Sequence, residues 1–315
     1  MKSIYLKRLF KIFLFCLIAL LLDQTIGLLF HSIRDNTVHY PCIDLNKTIY
    51  AVNKVHDNII IVGSSEASIG LDPNLIQTKL KKTCFNLGHT SIAFWWEVMT
   101  IKAIFDRYTP EILIWDVGPN PLSIDVTHNY RDIEFMARYK DISPTVDSLI
   151  NNSIAERIKY TSLSYTYNST FIEYMRLFFK GKTMKNTKGY IPETESMITK
   201  ADFSTFTLKD TINLKTKELY AKILSQCIKK GCKVYCVFAP KYLNYTHYPN
   251  KSIKSFEQLC DSLGCTSINL AQDTTFLNHP NYFYENYHLN KKGAEIYTHM
   301  ILDSIGHSFY SIDKN

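Results

Sequence analysis

Three short apolar runs, Asn58–Val62, Thr83–Leu87 and Ile112–Val117, each lead into or end beside a glycine: Gly63, Gly88 and Gly118. Apolar, β-branched runs of this length suit strands buried on both faces, as in a parallel sheet; a half-exposed strand would alternate. The stretches between them have helical spacing. Leu75–Lys82 reads as a short helix and Ile92–Arg107 as a longer one, stopped by Tyr108-Thr109-Pro110. The same rhythm returns with helices at Lys215–Lys230, Ser252–Leu263 and Lys291–Ser304 and strands at Lys233–Phe238 and Thr266–Leu270. Strands separated mostly by helices predict an α/β fold, a three-layer αβα sandwich around a five-stranded parallel sheet.

Residues 121–210 break the alternation. They are rich in Tyr, Ser, Thr and Asn, and read as a partly helical insertion that covers the site. Residues 31–57 are polar and turn-rich, and read as a linker. The expected organisation is therefore an anchor over 1–30, a linker over 31–57 and one domain over 58–310.

The anchor comes from the N-terminus. Lys2, Lys7, Arg8 and Lys11 precede an unbroken apolar run, Ile12–Leu22, and a second, Ile26–Phe30. As a helix, Ile12–Phe30 would span roughly 28 Å at about 1.5 Å per residue, close to the hydrocarbon thickness of a bilayer. No small-x-small site follows the apolar core, which favours an uncleaved anchor over a cleaved signal peptide. The positive-inside rule leaves the N-terminus cytoplasmic and the remainder outside. Asp23 then either sits at the outer interface or pairs with another membrane protein. The net charge is +7, and the four basic residues before the apolar run carry much of it, so the chain has no nucleic-acid footprint. Lys180, Lys182, Lys185 and Lys188 form a local basic cluster, read as a solvated face or a site for an anionic polymer.

In open parallel sheets, ligands bind beyond the carboxyl ends of the strands. This chain places Gly63-Ser64-Ser65-Glu66 after the first strand, Asn86-Leu87-Gly88-His89 after the second and Gly118-Pro119-Asn120 after the third. Glu285-Asn286-Tyr287-His288 precedes the last helix. Those residue types suit acyl transfer. A serine hydroxyl needs an adjacent base, histidine supplies it at neutral pH, and a carboxylate fixes the imidazole tautomer. Ser65 is the candidate nucleophile, His288 the base and Glu285 its orienting carboxylate. The backbone N–H groups of Ser65 and Gly88 and the side-chain amide of Asn120 are the candidate oxyanion donors. His56, His89 and His128 lack metal-ligand spacing, so neither a metal nor another cofactor is expected.

These blocks resemble the SGNH/GDSL hydrolase superfamily, which is flavodoxin-like in architecture. Gly63-Ser64-Ser65 would be the first block, Gly88 the second-block glycine, Gly118-Pro119-Asn120 the third and Glu285-Asn286-Tyr287-His288 the last. The resemblance covers roughly residues 55–120 and 210–305. Ser64 stands where the family usually has Asp, Pro121 where the third block ends in Asp, and Glu285 where the triad has Asp. With its N-terminal anchor, the Gly-Ser-Ser-Glu variant resembles the D-alanylation protein of teichoic acid synthesis and the extracytoplasmic proteins of bacterial polysaccharide O-acylation. The resemblance implies serine-dependent O-acylation of a cell-envelope glycan, with a multispanning membrane acyltransferase as donor partner. An envelope carbohydrate esterase and a catalytically silent scaffold are the alternatives.

Two cysteine pairs share one pattern, Cys227-Ile-Lys-Lys-Gly231-Cys232 and Cys260-Asp-Ser-Leu-Gly264-Cys265. Each joins a helix end to a strand start. With glycine in a left-handed turn, the two cysteines touch as an apolar cap or, outside the cytoplasm, as a disulfide.

Overall fold

The structure, a computed structural model, describes residues 2–36, 44–90, 94–126, 136–150, 153–168, 170–180, 187–197 and 206–312. His128, Lys182, Lys185 and residues 37–43 of the expected linker lie outside the described residues.

The strands are β1 Ile59–Val62, β2 Cys84–Asn86, β3 Ile112–Asp116, β4 Phe206–Thr207, β5 Lys233–Phe238, β6 Tyr245–Thr246 and β7 Thr266–Asn269. Five of them form a parallel sheet in the order β2-β1-β3-β5-β7. Its register sets Val62 beside Trp115 and Asp116 beside Val237. Parallel neighbours need crossovers, and helices supply them. Ahead of β1 lie α1 Lys2–Asn36 and α2 Asp44–Asn53; after it come α3 Ser65–Gly70, α4 Pro73–Leu80, α5 Phe94–Phe105 and α6 Pro144–Ile150. Beyond these lie α7 Ile154–Lys159, α8 Phe171–Lys180, α9 Leu214–Lys229, α10 Lys251–Leu263 and α11 Lys291–Ile312. Side-chain caps start several of them: Asp72 accepts from Asn74 N ahead of Pro73, Asn213 caps α9 and Asn250 caps α10.

Alternate residues of the central strands feed two apolar clusters. Ile60, Val62, Leu113 and Trp115 pack with residues of α2, α5, α9 and α10, while Ile59, Ile61, Ile112 and Ile114 pack with α3, α4 and α11. This explains the unbroken apolar runs. Both sets of side chains are buried, and each fully buried Ile contributes about 1.5–3 kcal/mol.

Two features depart from the sequence expectations. The stretch expected to be a linker contains α2, whose Ile49 and Val52 are buried against the core. A helix this short draws its stability from packing, so its local signal is weak. Residues within 121–210 are partly helical as expected, but β4 at their end pairs in parallel with β6 in a separate two-stranded sheet that was not expected.

Both cysteine pairs close Schellman endings. Cys232 N donates to Cys227 O (3.2 Å) and Gly231 N to Ile228 O (2.8 Å); Cys265 N donates to Cys260 O (3.0 Å) and Gly264 N to Asp261 O (3.2 Å). All four sulfurs are free thiols, as are the other described cysteines, so the pairs cap helices and no disulfide joins them. Burial pushes the Cys227 thiol up to about 12, away from thiolate chemistry.

Helix α1 is long and apolar enough to cross a membrane, and most of its surface is exposed. Its C-terminal part is docked rather than free. Asp23, Gly27, Phe30 and Arg34, spaced along one helical face, all meet the insertion. Asp23 accepts hydrogen bonds from Ser162 Oγ (2.6 Å), Leu163 N (3.1 Å) and Ser164 Oγ. The partner that Asp23 requires is therefore in its own chain. A side chain at Gly27 would bring a Cβ within 2.2 Å of Leu163 Cβ. Phe30 stacks on Tyr167 at 5.2 Å and meets Phe171 edge-on at 4.9 Å. Arg34, buried, grips Asp141 with two bonds of 2.7 and 2.8 Å. Gly27→Leu is expected to undock this contact. Limited trypsin digestion of the full-length protein in detergent should then cut faster after Arg157 and Lys159; an unchanged digestion rate would show that the contact does not depend on the glycine.

Candidate active site

The chain leaves β1 at Val62, passes Gly63 and enters α3. Ser64 is the N-cap of α3, its hydroxyl accepting from Glu66 N at 3.3 Å. Ser64 thus has a local structural task, holding Ser65 at the first position of the helix. Ser65 N–H sits where a helix offers no internal acceptor.

Residues 283–289 form a tight loop. Phe283 and Leu289 make an antiparallel bridge, and Tyr284 N donates to His288 O at 2.8 Å. This closure turns Glu285 and His288 toward each other. Glu285 Oε1 lies 2.5 Å from His288 Nδ1, and His288 Nε2 lies 2.7 Å from Ser65 Oγ. With the Nδ1 proton donated to Glu285, Nε2 accepts from the serine hydroxyl. Ser65 lies 223 positions from His288 in sequence, yet it meets the Glu285–His288 pair in one relay. The imidazole side chain is 23% exposed and the Glu285 side chain 51%, so the relay opens to solvent at its carboxylate end.

Two of the three expected oxyanion donors are engaged elsewhere. Gly88 N donates to Asn86 Oδ1 at 2.8 Å. An added Cβ at Gly88 would meet Ser68 N at 2.4 Å, so the glycine serves close packing of α3 on the end of β2, where substrate access was expected. Asn120 Nδ2 donates to Lys209 O at 3.0 Å, and its Oδ1 accepts from Asn250 Nδ2 at 3.2 Å. Its amide ties the end of β3 to the cap of α10 and the end of the insertion. Ser65 N–H is the donor of the expected set to which no such bond is assigned.

Asn86, seen in sequence only as part of the second block, is a central joint. Fully buried, it donates to Ala67 O and Leu71 O, each at 2.7 Å, while accepting from Gly88 N. Lys47 of α2, also buried, donates to Ser68 Oγ and Gly88 O, each at 2.7 Å. His89 packs its ring 4.7 Å from Trp96.

Beneath Ser65 lies a buried charge cluster missing from the sequence reading. Glu66 forms an ion pair with Lys241, which is only 1% exposed. Asp116, at the end of β3, is buried and accepts from Gly118 N at 3.3 Å. Burial, reinforced by the nearby Glu66 charge, raises Asp116 to about 7, with Lys241 opposing. Two carboxylates facing one ammonium in a desolvated site favour retention of one proton. The sequence signals were a carboxylate closing an apolar strand, and a lysine just past Phe238-Ala239-Pro240 at the same end of the sheet.

No family model, no curated protein and no solved structure matches this chain.

Asp116 generates a stability prediction. Its folded-state value is raised above the ordinary 3.8, so the folded protein binds the proton more tightly than the unfolded chain. Stability therefore falls as pH rises from about 4 to about 7, and is level above that for this group. Asp116→Asn should flatten that part of the profile and be most stabilising, relative to the parent, above pH 7. Urea unfolding of both proteins across this range measures it; identical slopes would place the proton elsewhere.

Proposed function

We propose that this protein is an extracytoplasmic, membrane-anchored acyl-transfer enzyme of the SGNH type, acting on a cell-envelope glycan through an acyl-serine intermediate. The observation that carries the reading is the relay from Glu285 through His288 to Ser65. Two further features support it. The strand order reverses between β1 and β3, and such a switch point, at the carboxyl ends of the strands, is where open α/β sheets bind ligands. Ser65 follows β1 directly. The two apolar clusters, one fed by each set of alternate strand residues, fit a three-layer αβα sandwich of flavodoxin-like order.

In this mechanism the Ser65 hydroxyl attacks an ester carbonyl as His288 Nε2 takes its proton. Glu285 holds the imidazole in the required tautomer and balances the charge on the imidazolium. Ser65 N–H donates to the oxyanion. His288 then protonates the departing alcohol, which leaves the acyl group on Ser65. In the second half, His288 deprotonates an acceptor hydroxyl as its oxygen attacks the acyl carbon, and collapse of the new tetrahedral adduct breaks the bond to Ser65 Oγ, which takes the proton back from His288. A glycan hydroxyl as acceptor gives transfer; water gives hydrolysis. The half-exposed Glu285 leaves one flank of the relay open to an incoming sugar.

The N-terminal basic residues support a topology with the N-terminus cytoplasmic and the relay outside. An uncleaved α1 also suits cooperation with a multispanning acyltransferase that delivers the acyl group.

Ser65→Ala should abolish labelling by a fluorophosphonate probe and reduce acyl turnover by about 10⁴-fold or more while the fold persists. Circular dichroism checks the fold, and mass spectrometry locates the label. Labelling that survives the substitution would exclude Ser65 as the nucleophile. With an acylated sugar donor and an unacylated glycan acceptor, acylated glycan marks a transferase, and free acid alone marks an esterase.

A further inference from the structure

The insertion carries a second feature that the relay does not use. Helices α7 and α8 leave large apolar side chains in the open: Ile154 (77% exposed), Ile158, Ile172, Phe178 and Phe179 (74% exposed). Ile154 and Ile158 lie one helical turn apart on α7, none of whose residues is buried. On α8, Tyr174 is buried against Phe30 and Ile33 of α1, while Ile172 and Phe179, seven residues apart, share an outward face. Several large apolar side chains in the open across two helices call for a partner phase.

The depth of Asp23 says which phase. If Lys11 marks the inner edge of the hydrocarbon, Phe30 lies about 28 Å farther along α1, at the outer edge. Asp23 is then roughly 10 Å inside that edge. Its hydrogen-bond partners Ser162, Leu163 and Ser164 must lie at the same depth, because they touch it. The turn between α7 and α8 is thereby drawn below the membrane surface. On the side of α1 away from this contact, Leu28 and Leu29 are about 60% exposed, so apolar surroundings suit α1 up to the level of Phe30 as well. The charges of α7 and α8 lean basic: Arg157, Lys159 and Arg176 stand against Glu156, which pairs with Lys159 at 3.6 Å, and Glu173, and Lys182 and Lys185 follow α8 in sequence. Lys159 reaches over the rings of Tyr160 and Tyr165 at 5.1 and 5.6 Å, an amphipathic grouping suited to the headgroup layer.

We infer that α7 and α8 lie in the outer leaflet of the bilayer, with Ile158, Ile172 and Phe179 among the acyl chains and Arg157, Lys159 and Arg176 at the level of the lipid phosphates. The inference rests on α1 being a membrane anchor. It turns the anchor from a tether into a platform. Asp23, Gly27, Phe30 and Arg34 bind α1 to the insertion, the insertion binds the lipid surface, and the domain bearing Ser65 is held at a set angle to the membrane. A substrate presented at the membrane surface then meets a site of fixed height.

Full-length protein reconstituted in phosphatidylcholine–phosphatidylglycerol vesicles tests this. Single tryptophans are added by Leu20→Trp in α1, Ile158→Trp, Phe179→Trp and, as an aqueous control, Lys229→Trp. Each variant is compared with the parent in vesicles whose acyl chains are brominated, where bromine quenches tryptophan within the hydrocarbon. The inference expects strong quenching of the added emission at positions 20, 158 and 179 and none at 229. Quenching at 20 without quenching at 158 and 179 overturns the inference and leaves the anchor standing. In that case, added tryptophans also shielded from aqueous acrylamide would identify a protein covering in place of lipid. No quenching at position 20 removes the anchor itself, and the inference with it.

Discussion

Asn86 is the joint on which the site depends. A parallel sheet ends in strand termini whose next residues diverge, and something must hold the first helix against them. Asn86 does this with one buried side chain, donating to two carbonyls of the α3 segment and accepting from Gly88 N. Lys47 secures the same junction from the other side, through Ser68 and Gly88 O. Buried polar groups are tolerated when their bonds are made, and each lost bond here would strand a desolvated partner. The position of Ser65 at the head of α3 follows from this network, and so does its distance from His288.

Charge is balanced just below. Glu66 neighbours Ser65 in sequence, Lys241 follows β5, and Asp116 closes β3, so the cluster joins the carboxyl ends of strands that are distant along the chain. Burying an ion pair is weak evidence of net stability, since desolvation opposes the attraction. Removing Lys241 would leave two carboxylates under the site without their cation, whereas removing Asp116 leaves the Glu66–Lys241 pair balanced. The raised Asp116 value expresses that tension, because a proton there restores neutrality.

The insertion connects the two halves of the molecule. Its helices meet α1 through a stripe of one acid, one glycine, one aromatic and one arginine, while residues 187–197 return along the domain. There Asn86 N donates to Lys188 O, Ile191 N to Ser68 O and Lys291 N to Glu193 O. That return path touches the edge strand β2, helix α3 and the start of α11. The segment that broke the alternation in sequence is thus packed against both the long apolar helix and the elements that carry Ser65.

The sequence by itself determined the features that local chemistry controls. Unbroken apolar runs meant buried parallel strands, because both faces of β1 and β3 are covered. The Cys-x4-Cys segments with glycine ahead of the second cysteine meant Schellman endings, because that backbone conformation depends on adjacent residues alone. The residue types of Ser65, Glu285 and His288 suggested a relay, and the loop closed by Phe283 and Leu289 has the short spacing that lets the last two meet. Tertiary structure alone decided what each polar group bonds to. It engaged Gly88 N with Asn86 and the Asn120 amide with Lys209 and Asn250, where the sequence suggested oxyanion donors. It folded α2 out of an expected linker, because a short helix is stabilised by the surface it meets. It also found Asp23 a partner within its own chain. Hydrogen-bond partners are chosen by proximity in space and the demand that buried donors and acceptors be paired; neither is encoded in a residue's immediate neighbours.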